Sequence, residues 1–113
     1  MAAMSTTLTE FSDKENSRTY TLSGTTAQKP RYVIQKRSVP AGNQTVAQDT
    51  ITVYYATVDA DGLVLPSKIS MSVQIRRPVD GQSTDVDAAL VILRDIVAGD
   101  EFGNTVDTQE YLI

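Results

Sequence analysis

Between Lys68 and Arg76 apolar and polar residues alternate without a break, Ile69, Met71, Val73 and Ile75 interleaving with Lys68, Ser70, Ser72, Gln74 and Arg76. A period of two marks a strand with one buried and one wet face. Past a turn at Pro78–Gln82 the period changes. From Thr84 to Ala98 apolar residues recur at helical spacing, with Val86, Leu90, Leu93 and Val97 on one stripe and Ala88, Ile92 and Ile96 on another. Only Asp85, Asp87, Arg94 and Asp95 interrupt them. Thr84 predicts the N-cap, Asp85 and Asp87 suit the positive end of the helix dipole, and Gly99 predicts a left-handed stop. A helix apolar on nearly every side needs cover on nearly every side, and a chain of 113 residues is too short to supply it alone. A homodimer partner is therefore expected, with Val86, Leu90, Ile92, Leu93, Ile96 and Val97 in the dimer interface.

Upstream, the threonine-rich runs Thr6–Phe11 and Arg18–Ser23 flank the polar Asp13–Asn16 and predict a β-hairpin. Its apolar content is thin, chiefly Leu8, Phe11, Tyr20 and Leu22, which predicts an accessory ribbon packed against something else. Arg31–Val39 predicts a third strand, ended by Pro40–Asn43. Its faces are ambiguous, since either Tyr32, Ile34 and Lys36 or Val33, Gln35 and Arg37 can point to the core. Val46–Val58 predicts a fourth, with Ile51, Val53 and Tyr55 toward the helices and Thr50, Thr52 and Tyr54 on the open face. Asp59–Gly62 turns the chain into a short strand at Leu63–Pro66. After Asp100–Asn104 a second helix is predicted from about Thr105 to Leu112, with Val106, Tyr111 and Leu112 able to pack. No connection is long enough for a crossover helix, so neighbouring strands should pair antiparallel. The expectation is a single α+β domain over residues 1–113: an N-terminal β-hairpin (5–23), an antiparallel meander (31–77) and two C-terminal helices (84–112) on one face of the sheet.

Composition narrows the chemistry. The sequence has no cysteine and no histidine, which removes disulfides, thiolates, and the commonest metal ligand and general base. No run approaches the roughly eighteen apolar residues of a membrane span, and Met1–Met4 lacks the character of a signal peptide. A soluble, cytosolic, non-enzymatic chain is expected, with no cofactor, metal, membrane or small-molecule substrate. Asp59-x-Asp-Gly62 resembles a calcium loop but lacks the downstream glutamate, so a turn is the better reading. Asp95, Asp100 and Glu101 are read as helix-end solvation, since no nucleophile accompanies them.

Charge adds a direction. Residues 1–30 carry three basic and three acidic side chains, residues 31–79 six and three, and residues 80–113 one and eight, giving net charges of 0, +3 and −7. A basic sheet side and an acidic helix side would let a polyanion dock on the open sheet face.

The order of hairpin, meander, Val64-Leu-Pro66, alternating Ser70, Ser72 and Gln74, and two closing helices that include Arg94–Phe102 and Val106–Gln109 resembles the coat proteins of single-stranded RNA bacteriophages, the leviviruses. The resemblance covers about residues 5–113. It implies that two subunits join sheets edge to edge and interlock helices over each other's sheets. It also implies that dimers build an icosahedral virion in the bacterial cytoplasm, with helices outside and sheets lining the genomic RNA, and that a dimer represses replicase translation by gripping an RNA hairpin. The chain is shorter than the better-known members, with a compact Asp59–Ser67 loop; Asp59, Ala60, Asp61 and Gly62 correspond to the family's inter-dimer loop. The candidate RNA-binding residues are Arg31, Gln35, Arg37, Thr50, Thr52, Tyr54, Lys68, Ser70, Ser72 and Gln74. Arginine and lysine would engage phosphates, hydroxyls and glutamine would hydrogen-bond, and Tyr54 would stack a base. The alternative is a small dimeric RNA-binding regulator that forms no shell.

Overall fold

The computed structural model describes residues 3–38 and 45–113. Five strands run in chain order across one antiparallel sheet: β1 (Leu8–Lys14), β2 (Ser17–Leu22), β3 (Arg31–Ser38), β4 (Val46–Tyr55) and β5 (Ile69–Pro78). Two helices follow, α1 (Ser83–Ala98) and α2 (Asp100–Thr108). The chain divides into two compact units, the sheet unit through Val79 and the helical unit from Asp80. No helix among the described residues is long and apolar enough to cross a membrane.

The hairpin is not an accessory ribbon. β2 pairs along β3, from Ser17 opposite Lys36 to Thr21 opposite Tyr32, so β1 and β2 extend the same sheet. Backbone pairing continues there because it needs no apolar side chain, only an unpaired neighbouring edge. The strands also close tighter than the polar run suggests. Lys14 pairs with Ser17, and Asn16 makes the turn at φ 62, a conformation asparagine tolerates better than most residues. Opposite β2, the register of β1 slips between Glu10 and Ser12, which leaves Phe11 as the extra residue of a β-bulge. Between β2 and β3, reciprocal backbone bonds of Thr26 and Lys29 tighten the linker, and Pro30 O accepts the Ala56 amide at 3.0 Å.

β4 ends at Tyr55, three residues earlier than predicted, and Leu63–Pro66 contributes no strand. A lone bridge joins Val58 to Val64 around the turn. Asp59 holds that turn: one carboxylate oxygen accepts the amides of Asp61 at 2.9 Å and Leu63 at 3.0 Å, while Gly62 sits at φ 82. The predicted end of the third strand at Val39 and the turn at Pro40–Asn43 lie outside the described residues.

The helical unit differs from expectation at three points. Gln82, not Thr84, is the N-cap of α1, and no side chain caps the helix there. Gly99 is extended, with φ −78 and ψ 154, and serves at once as the C-cap of α1 and the N-cap of α2. α2 therefore begins five residues before the predicted start. Asp100 and Glu101 in its first turn complement the dipole, and Gln109 in the left-handed region at φ 58 ends it. At about 100° per residue, the apolar side chains of α1 also fall differently from the predicted two-sided pattern. Ile92, Ile96, Ala89, Leu93, Val86, Val97 and Leu90 share one arc of about 160°, and the opposite side mixes Asp87, Arg94 and Asp95 with Ala88, Val91 and Ala98.

Since Gly99 does not need a left-handed backbone and Gly62 does, their alanine variants should part. Gly62→Ala is expected to cost about 1–2 kcal/mol, and Gly99→Ala only the smaller N-cap preference for glycine, about 0.5 kcal/mol, the tightest neighbour of the new methyl being the flexible Glu101 carboxylate. Urea unfolding of the two variants measures the difference; equal losses would contradict the backbone assignment.

Candidate nucleic-acid interface

Cross-strand register sorts every sheet residue onto one of two faces, because directly opposite residues share a face. One face carries the rows Thr21–Tyr32–Tyr54–Ser70, Thr19–Ile34–Thr52–Ser72, Ser17–Lys36–Thr50–Gln74 and Ser38–Gln48–Arg76. Hydroxyls and amides dominate it, with Lys36, Arg76 and, opposite Ser17, Lys14 as its cations. The other carries Arg18–Gln35–Ile51–Val73, Tyr20–Val33–Val53–Met71, Arg31–Tyr55–Ile69 and Arg37–Asp49–Ile75. Its centre is apolar and its ends are charged.

The predicted faces of β4 and β5 agree with this register. Thr50, Thr52, Tyr54, Ser70, Ser72 and Gln74 come together on the polar face, and Lys68 stands immediately ahead of β5. The ambiguity in β3 settles the other way for three candidates: Arg31, Gln35 and Arg37 share the apolar face with the buried Val33. The reason is local. Val33 lies between Tyr20 and Val53, the centre of the apolar rows, so its strand neighbours at a spacing of two must follow it. Two of these three have a contact of their own there. Arg31 lies over the Tyr55 ring, 3.9 Å from its centroid. Arg37 donates from Nε to Asn16 Oδ1 at 3.3 Å. Gln35 is exposed.

In their place the polar face gains Tyr32 and Lys36, which alternation alone could not choose. Tyr32 stacks on Tyr54 with centroids 5.1 Å apart and planes at 28°. Both rings are half-buried, so the pair forms a fixed aromatic surface amid hydroxyls. The signal that could have found it is the pair of tyrosines itself: an offset of aromatic residues in adjacent strands is a common cross-strand partnership.

Elsewhere, an open depression of about 370 Å³ at the tip of the β1–β2 hairpin is lined by charges of both signs, including Asp13, Lys14, Arg18 and Arg37. Arg18 pairs with Asp13 at 3.3 Å, and the neighbouring Tyr20 hydroxyl, followed by Asp13, pushes its proton affinity further up. Asp59 of the loop Asp59–Gly62 is committed to backbone amides, as a turn requires. On the helices, Ile92 and Val97 are exposed and Val86 and Leu90 half-buried within the single chain.

No protein-family model and no curated protein matches the sequence. Solved structures do match the fold. The subunit of the virus-like particle of Wenzhou levi-like virus 4 superposes with a TM-score of 0.79 at 14% identity, over 92% of this chain and 75% of that one. That of Beihai levi-like virus 32 gives 0.76 at 12% identity, over 96% and 90%. That of bacteriophage AC gives 0.68 at 20% identity, over 89% and 94%. The chain thus has the fold of levivirus-type coat proteins, a five-stranded antiparallel sheet followed by two helices.

The aromatic pair yields a direct test of the register. In a double-mutant cycle on Tyr32→Ala and Tyr54→Ala, unfolding should show a coupling of about 0.5–1.5 kcal/mol. Additive losses would mean that the two rings do not support each other.

Proposed function

We propose that this chain is the coat subunit of a single-stranded RNA phage, a structural protein without enzymatic activity, whose dimers assemble into a shell around genomic RNA. The observation that carries this reading is the fold likeness over nearly the whole chain to subunits described as forming virus-like particles. Assembly would take place in the host cytoplasm and the product would be the virion.

The sheet supports a second copy at a particular edge. β5 is an outer strand of ten residues, paired to β4 without a register shift, and Ile69 to Ile75 carries no charge. Such an edge is open to another strand, and two copies can satisfy each other's free amides and carbonyls by antiparallel pairing. β1, the other edge, is guarded by the bulge at Phe11 and by Glu10, Asp13 and Lys14. Apolar surface supports the same conclusion: Ile69, Met71, Val73 and Ile75 remain 44, 48, 40 and 38% exposed. Covering what remains of each is worth roughly 1 kcal/mol.

RNA belongs on the polar face in this reading. Lys36, Arg76 and Lys68 would meet phosphates, the Tyr32–Tyr54 pair offers a stacking surface for an unpaired base, and Thr50, Thr52, Ser70, Ser72 and Gln74 surround it with hydrogen-bonding groups. An RNA hairpin gripped there would make the dimer a translational repressor. The Asp59–Gly62 loop, held rigid by Asp59, would meet neighbouring dimers.

Electron microscopy of purified protein is expected to show particles some tens of nanometres across; dimers alone would favour the RNA-binding regulator that forms no shell. Lys36→Glu should weaken RNA retention and lower its salt sensitivity by about one phosphate contact, whereas Gln35→Glu on the other face should leave both near the parent values. A filter-binding titration across salt concentrations reads both, and equal effects would remove the RNA from the polar face.

Ile92→Asp or Leu93→Asp would place an unpaired carboxylate in the interface between copies, at a cost of several kcal/mol. Because domains of this size hold about 5–15 kcal/mol of stability, each variant should yield unfolded or aggregated chains. A well-folded soluble monomer by circular dichroism and sedimentation would end the interlocked-dimer reading.

A further inference from the structure

Arg31 has the wrong surroundings for a phosphate-binding residue. It lies on the apolar face, in the row with Tyr55 and Ile69. Its guanidinium carbon lies 3.9 Å from the Tyr55 ring centroid, and a Cβ added at Gly24 would meet Nη1 at 3.6 Å. Its Nε is buried and has no hydrogen-bond partner among the described residues. Nε, covered within the chain, is out of reach of another molecule, so an acceptor on a second copy would meet the remaining guanidinium nitrogens, where a charge-assisted bond is strongest. Arg18 and Arg37 on the same face already have theirs, in Asp13 and Asn16.

The helical unit carries an acceptor with the opposite problem. At about 100° per residue, Asp85 shares a stripe of α1 with Ala89, Ile92 and Ile96, within the apolar arc and away from Asp87, Arg94 and Asp95. It is the one charged residue in that arc. If the arc is covered by apolar surface, the Asp85 carboxylate is desolvated along with it and needs a cation.

From these two placements we infer that Arg31 of one copy pairs with Asp85 of a second copy, a charge lock that fixes how the helix of one subunit seats on the apolar sheet face of the other. The inference rests on the two-copy reading proposed above and adds the residues that set its register. Each group sits within an otherwise apolar surface, so bringing the surfaces together in any register that separates the two would strand both charges. On the apolar face of β3, β4 and β5, Arg31, Arg37 and Arg77 outnumber Asp49, and residues 80–113 carry a net −7, which favours the same encounter.

A charge exchange between copies tests it. Arg31→Glu and Asp85→Arg are each refolded alone, then together in equal amounts, beside a chain carrying both changes, and dimer formation is measured by sedimentation. Alone, each variant sets like charges against each other and should lose affinity by roughly 30-fold or more. Mixed, the two restore opposite charges at both contacts, and dimers should return. Rescue by the doubly changed chain but not by the mixture would place the pair within one chain and overturn the inference. Single variants that dimerise like the parent would overturn it too, as would failure of both the mixture and the double change. If the unmodified chain forms no dimer at any concentration, the coat-subunit reading itself fails.

Discussion

A single sheet layer cannot satisfy its own apolar face, and that constraint governs this protein. Among the described residues only Val33 and Ala56 are buried within one chain. Backbone pairing across five strands gives the sheet unit its shape, but pairing is weak net stabilisation, since each bond formed replaces one to water. The large favourable term in folding is the removal of apolar surface from water, and here most of it is still available. β5 and α1 display the residues that a core would normally hold. In the coat-subunit reading proposed above, stability and association would be a single process, in which the chain gains its core by meeting another copy.

Much of this architecture is legible in the sequence where one periodicity dominates. Alternation over Ile69–Ile75 fixes both the strand and its faces, because a slip of one residue would invert every side chain. The same holds for Thr50–Tyr55. β3 resists the same treatment: Tyr32, Ile34 and Lys36 are about as amphipathic as Val33, Gln35 and Arg37, and only the register with β2 and β4 chooses between them. Long-range pairing is absent from a local pattern, so the sequence leaves both faces of β3 open, and the register places Arg31, Gln35 and Arg37 on the face opposite Thr50 and Ser72. Gly99 misleads for a related reason. Glycine after a helix usually means a left-handed residue, yet here the chain leaves α1 and enters α2 through one extended position, leaving Asp100–Asn104 helical.

The two faces of the sheet divide the labour of one thin layer. On one, the Tyr32–Tyr54 stack and the hydroxyl rows form a surface that is wet, hydrogen-bonding and weakly basic, suited in chemistry to a flexible polyanion and to sequence-tolerant stacking. On the other, apolar rows run between Arg18, Arg31 and Arg37, whose side chains are stacked, bonded or ion-paired. Lysine and arginine therefore play different parts according to face. Lys36 is an exposed charge on the polar face, while Arg31 sets a planar guanidinium over the Tyr55 ring.

The bulge at Phe11 bears on growth as well as on shape. A sheet with two pairing-competent edges has a valency of two along the direction of its hydrogen bonds, and identical copies would extend it into a ribbon. With β1 interrupted by an extra residue and flanked by charge, and β5 straight and uncharged for most of its length, the valency falls to one. If copies pair through β5 as proposed, strand pairing would stop at two chains, and any larger particle would grow through other surfaces.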